Sequence, residues 1–198
     1  MRFFIEGFFQ IKTNDHPTDN PVTNCIYGNV PYEIMKYHTL EDSDRIQFGD
    51  IIYIQRNPED AIRSHYKRSD RVADLHFFMT QLELIDIIQT QVRRGIDEGV
   101  NCIVFNFDDV VSSPQTCAKR IFDSKVYFDK SQFRHDKLED KEFIDDLTQQ
   151  ARLNYDRRFG MLNKPITEKI EVMIHDAMNS ELGKTVVDNY EKLKGFES

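Results

Sequence analysis

Cationic side chains are in deficit along this chain, cysteines are few, and no apolar run is long. Lysine and arginine total 26 against 34 aspartates and glutamates, giving a formal charge of -8 and a pI near 5.3. Nonspecific affinity for nucleic acid rests on clustered positive charge, so this balance argues against a general nucleic-acid binder. It leaves room for one local basic pocket. The three cysteines, Cys25, Cys102 and Cys117, are odd in number and lack metal-ligand spacing. Two of them sit in apolar surroundings, "NCIVF" and "TCAKRIF". They read as reduced, buried thiols of a cytoplasmic protein, and no metal site is expected. No segment approaches a membrane span. The N-terminal "MRFFIEGFF" is short, carries Glu6 and has no small-residue cleavage site, which argues for a buried first strand over a signal peptide. Internal repeats and low-complexity tracts are absent as well.

What is present is enough for one core. A chain of 198 residues, 39% hydrophobic, suits a single domain over 1–198. "RFFIEGFF" is apolar on both faces and reads as a strand interior to a sheet. Residues 12–31, dense in Asn, Asp, Thr and Pro, read as a long loop of the kind that carries function. "YEIMKYH" and "IIYIQ" follow as strands, the latter being the clearest in the chain. Asn57-Pro58 then starts a helix, with Asn at the N-cap and Pro in the first turn. A longer helix spans about 75–94, with Phe78, Leu82, Ile85, Val92 and Ile96 along one stripe and Gly95 or Gly99 to end it. "NCIVFNF" is a fourth strand, and Ser113-Pro114 opens another helix. From Glu139 onward the pattern is helical, broken near "RRFGMLNKP", with final helices at about 167–179 and 181–194. Strands alternating with helices imply an α/β protein: a mostly parallel central sheet flanked by helices, followed by a helical C-terminal portion.

In open parallel sheets, ligands bind at the carboxyl ends of the strands. Three features sit at such ends. Arg56 follows "IIYIQ" and precedes a helix N-terminus, where backbone amides attract anions and a guanidinium can grip phosphate in bidentate fashion. Ser64 lies eight residues on, and its hydroxyl can join the same phosphate if the chain folds over it. Taken alone, an arginine in this position is more often a surface ion-pair residue. Lys36 and His38 end the second strand with side chains on the same side of the backbone. Such a pair can neutralise a leaving group and take a proton from an attacking hydroxyl, or can be two solvated residues at an edge. In "FNFDDVVSSP", Phe105 and Phe107 end the fourth strand. Asp108 and Asp109 either hold a metal or, on the reading preferred here, serve structure ahead of a capping serine.

Taken in order, these pieces resemble the sulfotransferases that use 3′-phosphoadenosine 5′-phosphosulfate (PAPS). The carrying residues are "KYH", then "RNPEDAIRSHY" with Arg56, Asn57, Pro58, Asp60, Ser64 and Tyr66 in place, then "FDDVVSSP" as the counterpart of a Tyr-Glu-Asp-Leu turn. The likeness covers about residues 32–125. It implies a P-loop-type sandwich in which Arg56 and Ser64 hold the cofactor's 3′-phosphate. Lys36 would contact the transferring sulfuryl group, and His38 would be the general base. Phe107 would line the adenine side without the family's tyrosine hydroxyl. The family's first strand ends in a loop resembling G-x-P-[KR]-S-G-T-T, for which the counterpart here is "GFFQIKTN". Gly7 and Thr13 fit, but Gln10, Ile11 and Lys12 stand where a cation, a serine and a glycine are expected. Loss of a cation of that kind costs a few kcal/mol of transition-state stabilisation, like other oxyanion contacts. Lys12 is the residue placed to substitute. The C-terminal R-K-G-x-x-G-x-W clamp has only an echo in "RRFGMLNKP", where Arg157 and Arg158 are the candidates and tryptophan is missing.

The expectation is therefore a sulfotransferase moving a sulfuryl group from PAPS to a hydroxyl or amine on a small-molecule or glycan acceptor, with no metal, membrane or nucleic-acid partner. The alternative is a nucleotide-binding module of the same fold with impaired catalysis. A small kinase is disfavoured, because the Walker lysine and its following Ser/Thr are missing.

Overall fold

The computed structural model describes residues 2–9, 13–14, 34–35, 50–70, 72–126, 130–159 and 163–197. In chain order the elements are α1 (Arg2–Phe9), β1 (Thr13–Asn14), β2 (Ile34–Met35), β3 (Ile51–Gln55), α2 (Pro58–Arg68), α3 (Leu75–Asp97), β4 (Cys102–Asn106), α4 (Phe107–Ser112), α5 (Pro114–Asp123), α6 (Lys141–Phe159), α7 (Glu168–Asn179) and α8 (Glu181–Leu193). A short 3₁₀ turn, His135–Lys137, precedes α6. The protein is rich in helix, and among the described residues the strands run parallel in two pairs. β1 lies beside β2, and β3 beside β4 in the register Ile51↔Cys102 through Gln55↔Asn106. Residues near the C-terminus add an antiparallel bridge, Ile103↔Glu197, to β4.

The β3–β4 ribbon is covered on both faces, so neither strand shows the polar alternation of a half-exposed strand. On one face Ile103 and Phe105, with Ile52 and Ile54, pack against Phe4 and Phe8 of α1, Val110 of α4, and Cys117 and Ile121 of α5. On the other, Ile51, Cys102 and Val104 meet Val92 of α3 and Leu193 of α8. A third cluster joins α2, α3, α7 and α8 through Ile62, Phe78, Leu82, Ile174 and Val186. α3 takes part in both of the last two clusters.

Local chemistry explains most of the boundaries. The Asn57 side chain accepts hydrogen bonds from the amides of Glu59 (3.0 Å) and Asp60 (3.3 Å), and Pro58 pre-sets the first turn of α2. Asp74 caps α3 by accepting from the Phe77 amide at 2.8 Å. α3 ends in a Schellman turn. Gly99, at φ +83°, donates to the Ile96 carbonyl and Val100 donates to that of Gly95, so Gly99 and not Gly95 is the terminator. Ser113 occupies the N-cap of α5 but its hydroxyl makes no capping bond, contrary to the reading of it as a capping serine.

The N-terminal segment departs from its expected form. "RFFIEGFF" is the helix α1 and not an interior strand. Consecutive apolar residues satisfy a strand covered on both faces and a buried helix equally well. Here the i, i+4 pair Phe4 and Phe8 decides the matter by packing onto α5 and α6, with the Phe8 ring edge-on to Phe143 at 5.3 Å. Phe107, expected to end the fourth strand, is instead the first residue of α4.

The α7–α8 corner is closely packed. The Ser180 hydroxyl accepts from the Gly183 amide at 3.0 Å, and a Cβ on Gly183 would lie 2.4 Å from the backbone oxygens of both Ala177 and Met178. Backbone cannot move aside as a side-chain tip can. Gly183→Ala should therefore cost about 1–3 kcal/mol, as overpacking does, read as a lower urea midpoint with an unchanged m-value.

Candidate functional site

Because β3 and β4 are parallel and in register, both deliver their next residues to the same edge of the ribbon. That edge is where the candidate site lies. The residue after β3 and its Asn57-Pro58 turn is reached through Arg56, and the residue after β4 is Phe107. The two meet: the Arg56 guanidinium carbon sits 4.9 Å from the centroid of the Phe107 ring. Phe107 is 39% exposed and Arg56 is half-buried. Among the described residues no carboxylate pairs with Arg56, so its contact is with an aromatic face and not with an ion-pair partner. A cation–π contact at such a site is worth about 0.5–1 kcal/mol, which leaves the guanidinium's donors available to an anion.

Beneath this edge lies a polar clasp that inspection of the sequence passes over. Gln55, the last residue of β3, is 2% exposed. Its amide nitrogen donates to the Asn106 side-chain oxygen at 3.1 Å and to the Tyr190 carbonyl at 3.2 Å. Asn106 in turn donates to Asp109 at 3.1 Å. The clasp ties β3, β4, α4 and α8 together one residue below Arg56 and Phe107. A glutamine closing an apolar run is its only trace in the sequence. Asp108 and Asp109 are exposed in the first turn of α4, where negative charge favours the helix, and Asp109 takes the Asn106 bond. Among the described residues no group of His, Cys, Asp or Glu is placed to hold a metal ion.

The N-terminus of α2 is not the open anion site that the sequence suggests. Asn57 occupies the amides of Glu59 and Asp60, and the carboxylates of those residues stand in the same turn. Ser64 lies six residues into α2, about 9 Å along the axis from Pro58 at 1.5 Å per residue. A phosphate at the N-terminal amides would be out of its reach. The Ser64 hydroxyl instead accepts a hydrogen bond from the Arg68 guanidinium, one turn further on, in a half-buried position.

The remaining candidates are dispersed. Gly7 lies in the last turn of α1, where a Cβ would come 2.7 Å from Leu147 Cδ1, so its small size serves helix packing and not a strand-to-loop turn. Thr13 is in β1, opposite Ile34 of β2. Lys12, Lys36 and His38 lie outside the described residues, as does Cys25. The backbone of Arg157 and Arg158 belongs to the last turn of α6, and their side chains are outside the described residues. Cys102 and Cys117 are buried thiols. Burial pushes the Cys102 thiol up to about 12 and the Cys117 thiol up as well, which leaves both protonated and unreactive.

A separate open groove of about 490 Å³ runs between α2 and α7, lined by Glu59, Arg63, Glu171, Val172, His175 and their neighbours. It contains none of Arg56, Ser64 or Phe107, and its one arginine is already neutralised. Arg63 pairs with Glu59 and Glu171, each at 2.6 Å, so the groove offers little to an anion. No helix among the described residues is long and apolar enough to cross a membrane. In comparisons with protein-family models, curated proteins and solved structures, nothing matches this chain.

The Arg63 pairs carry a pH signature. The guanidinium beside Glu171 holds its carboxyl below the ordinary value of 4.5. A carboxyl depressed in the folded state contributes stability above its unfolded value, and that contribution is lost as pH falls through the lower folded one. Arg63→Met should therefore flatten the decline of stability on acidification below pH 4.5 while leaving the slope near neutrality unchanged, as measured by urea melts at stepped pH.

Proposed function

We propose that this protein is a PAPS-dependent sulfotransferase of the P-loop-type sandwich fold, and that the carboxyl edge of β3 and β4 is its nucleotide site. The observation that carries the reading is the Arg56–Phe107 stack. It sets a guanidinium without a carboxylate partner among the described residues on an aromatic face, at the edge where parallel strands present ligands. Arg56 and Ser64 are assigned to the 3′-phosphate and Phe107 to the adenine side, with Arg157 and Arg158 as further contacts. Lys36 would steady the sulfuryl group, His38 would accept the acceptor's proton, and Lys12 would supply positive charge beside the leaving phosphate. In the step itself a new S–O bond forms to the acceptor oxygen as the bond to the bridging phosphate oxygen breaks. The electron pair leaves with 3′-phosphoadenosine 5′-phosphate, and the proton goes to His38. No metal enters this scheme. The acceptor would be a small molecule or glycan, and the compartment the cytoplasm.

A second reading, a nucleotide-binding module with impaired transfer, is favoured by one observation. Gly7 is helical and packed on Leu147, so the residues at the start of this segment, up to Phe9, form the end of a helix and not the strand end from which a phosphosulfate loop leaves.

Calorimetry with 3′-phosphoadenosine 5′-phosphate tests both readings together. Losing a charged hydrogen bond to phosphate costs about 1.5–3 kcal/mol, so Arg56→Ala should weaken binding roughly tenfold or more with little change in melting temperature. Parental affinity in that variant would remove Arg56 from the site. Catalysis is tested apart from binding. His38→Asn should keep nucleotide affinity and lower turnover of an identified acceptor by about 10²–10⁴, the range for general acid–base catalysis. Near-parental turnover would strike His38 from the mechanism. A parent that binds the nucleotide but sulfates nothing in a broad acceptor panel would select the binding-module reading.

A further inference from the structure

Two asparagines cap the helices that follow the parallel strands, and their side chains are used differently. Asn57, at the N-cap of α2, accepts from the amides of Glu59 and Asp60, the ordinary work of asparagine at that position. Asn106 holds the N-cap of α4 and makes no such bond. Its Oδ1 accepts from Gln55 Nε2 at 3.1 Å, and its Nδ2 donates to Asp109 at 3.1 Å. The side chain that could cap α4 is thus given over to the neighbouring strand and to the third residue of its own helix.

The ends of this chain of bonds set the direction of every link. The Tyr190 carbonyl and an ionised Asp109 can only accept. Asn106 must therefore turn its Nδ2 to Asp109 and its Oδ1 to Gln55, and Gln55 must turn its Nε2 to both Asn106 and Tyr190. Gln55 Oε1 is left buried with no hydrogen-bond partner among the described residues. A buried acceptor left unpaired destabilises a fold, and an apolar side chain of similar length would carry no such acceptor. Stability alone does not account for a glutamine here.

Its position in the fold does. The register of β3 with β4 ends at the pair Gln55↔Asn106. The next residue of each strand is a member of the stack, Arg56 after one and Phe107 after the other, with the guanidinium carbon 4.9 Å from the ring centroid. The side-chain amides join the strands at the last point before those two residues leave. Asp109 anchors the first turn of the helix that begins with Phe107, and the Tyr190 carbonyl ties the whole to α8. We infer that Gln55 and Asn106 are positioning residues, which hold the ends of β3 and β4 so that Arg56 lies over Phe107 before any ligand arrives. Fixing a binding group in advance raises affinity, because less ordering is left for the binding event. That gain rests on the nucleotide-site reading given above, whereas the hold on the stack is read without a ligand.

Arginine side-chain protons that lie over a ring face resonate upfield, so NMR reads the stack directly. Phe107→Leu identifies the part of the Arg56 shift that the ring causes. Gln55→Met keeps the side-chain length, removes the donor, and should lose most of that shift while still unfolding cooperatively. Asn106→Asp, which sets a second carboxylate against Asp109, should do the same. Asn106→Asp combined with Asp109→Asn should restore the shift, since that bond re-forms in the opposite sense and Gln55 keeps its acceptor. A clasp serving stability alone would lower the urea midpoint of these variants and leave the shift in place. That result, or a parent whose Arg56 shift is indifferent to Phe107→Leu, would overturn the proposal. Where Gln55→Met does not fold, the exchange at positions 106 and 109 decides. Loss in the single variant with recovery in the pair upholds the proposal, and any other pattern overturns it.

Affinity for 3′-phosphoadenosine 5′-phosphate tests the link to the ligand. Gln55→Met should weaken it about two- to tenfold, the range for one neutral hydrogen bond. In an Arg56→Ala background that further loss should vanish, because the glutamine acts through the arginine. The same loss in both backgrounds would overturn that route. A parent that keeps the Phe107-dependent shift and its sensitivity to Gln55→Met, yet binds no nucleotide, would uphold the positioning role and defeat the nucleotide reading.

Discussion

Two adjacent strands running in the same direction cannot be joined by a hairpin, and the parallel pairing of β3 with β4 is the constraint on which the rest of this structure hangs. The chain must leave the carboxyl end of β3 and return to the amino end of β4, and it does so through α2 and α3. That crossover brings Ile62, Phe78 and Leu82 into contact with the C-terminal helix pair and lays Val92 over one face of the ribbon. It also fixes where chemistry can occur. Residues that follow two parallel strands emerge side by side, which is why Arg56 and Phe107 meet although 51 positions separate them. Gln55 and Asn106 occupy matching positions in the register and are hydrogen-bonded directly below. A buried amide is costly unless bonded, and here two of its bonds bridge elements far apart in the chain.

Charge is distributed by the same architecture. The carboxylates Glu59 and Asp60 stabilise the start of α2 and disqualify it as a seat for an anion. Arg63, in the middle of the helix, is consumed by Glu59 and by Glu171 of α7. Arg56 stands just before the helix on an aromatic ring, with no carboxylate partner among the described residues. The acidic first turn and the Arg63 ion pairs thus belong to the helix and its packing, and the proposed cationic contact lies just outside it. An acidic protein can hold a dianion by that local arrangement without any overall positive charge.

Local chemistry made much of this readable in advance, and long-range packing made the rest unreadable. Asn57-Pro58 announces the start of α2 because capping and a pre-set φ act within a few residues, and "IIYIQ" and "NCIVF" announce strands because each is short, β-branched and bounded by turn residues. Glu168–Asn179 and Glu181–Leu193 fall within a residue of their expected limits for the same reason. "RFFIEGFF" misleads because its choice between helix and strand depends on Phe133, Phe143 and Leu147, more than a hundred positions away. The site divides along the same line. Arg56 and Ser64 are marked by a dense local pattern, whereas the Gln55 clasp and the Arg56–Phe107 stack exist only once β3 and β4 have paired.

Holding a nucleotide and transferring its sulfuryl group make different demands, and the proposed roles fall on different stretches of the chain. The residues proposed to grip, Arg56, Ser64 and Phe107, lie between the end of β3 and the start of α4, on a framework fixed by one crossover. The residues proposed for chemistry, Lys12, Lys36 and His38, all precede β3 in the sequence. Interactions that are equal in ground and transition states give affinity without rate. Rate comes from charge placed where charge develops during the reaction. On the proposed reading, changes around residues 7–14 would erode turnover and leave the grip intact, since Gly7 is set by its packing on Leu147. The converse does not hold. On the same proposal, loosening the Arg56 or Ser64 end would release the nucleotide and with it the leaving group, so affinity at the β3–β4 edge is the prior condition for the proposed transfer.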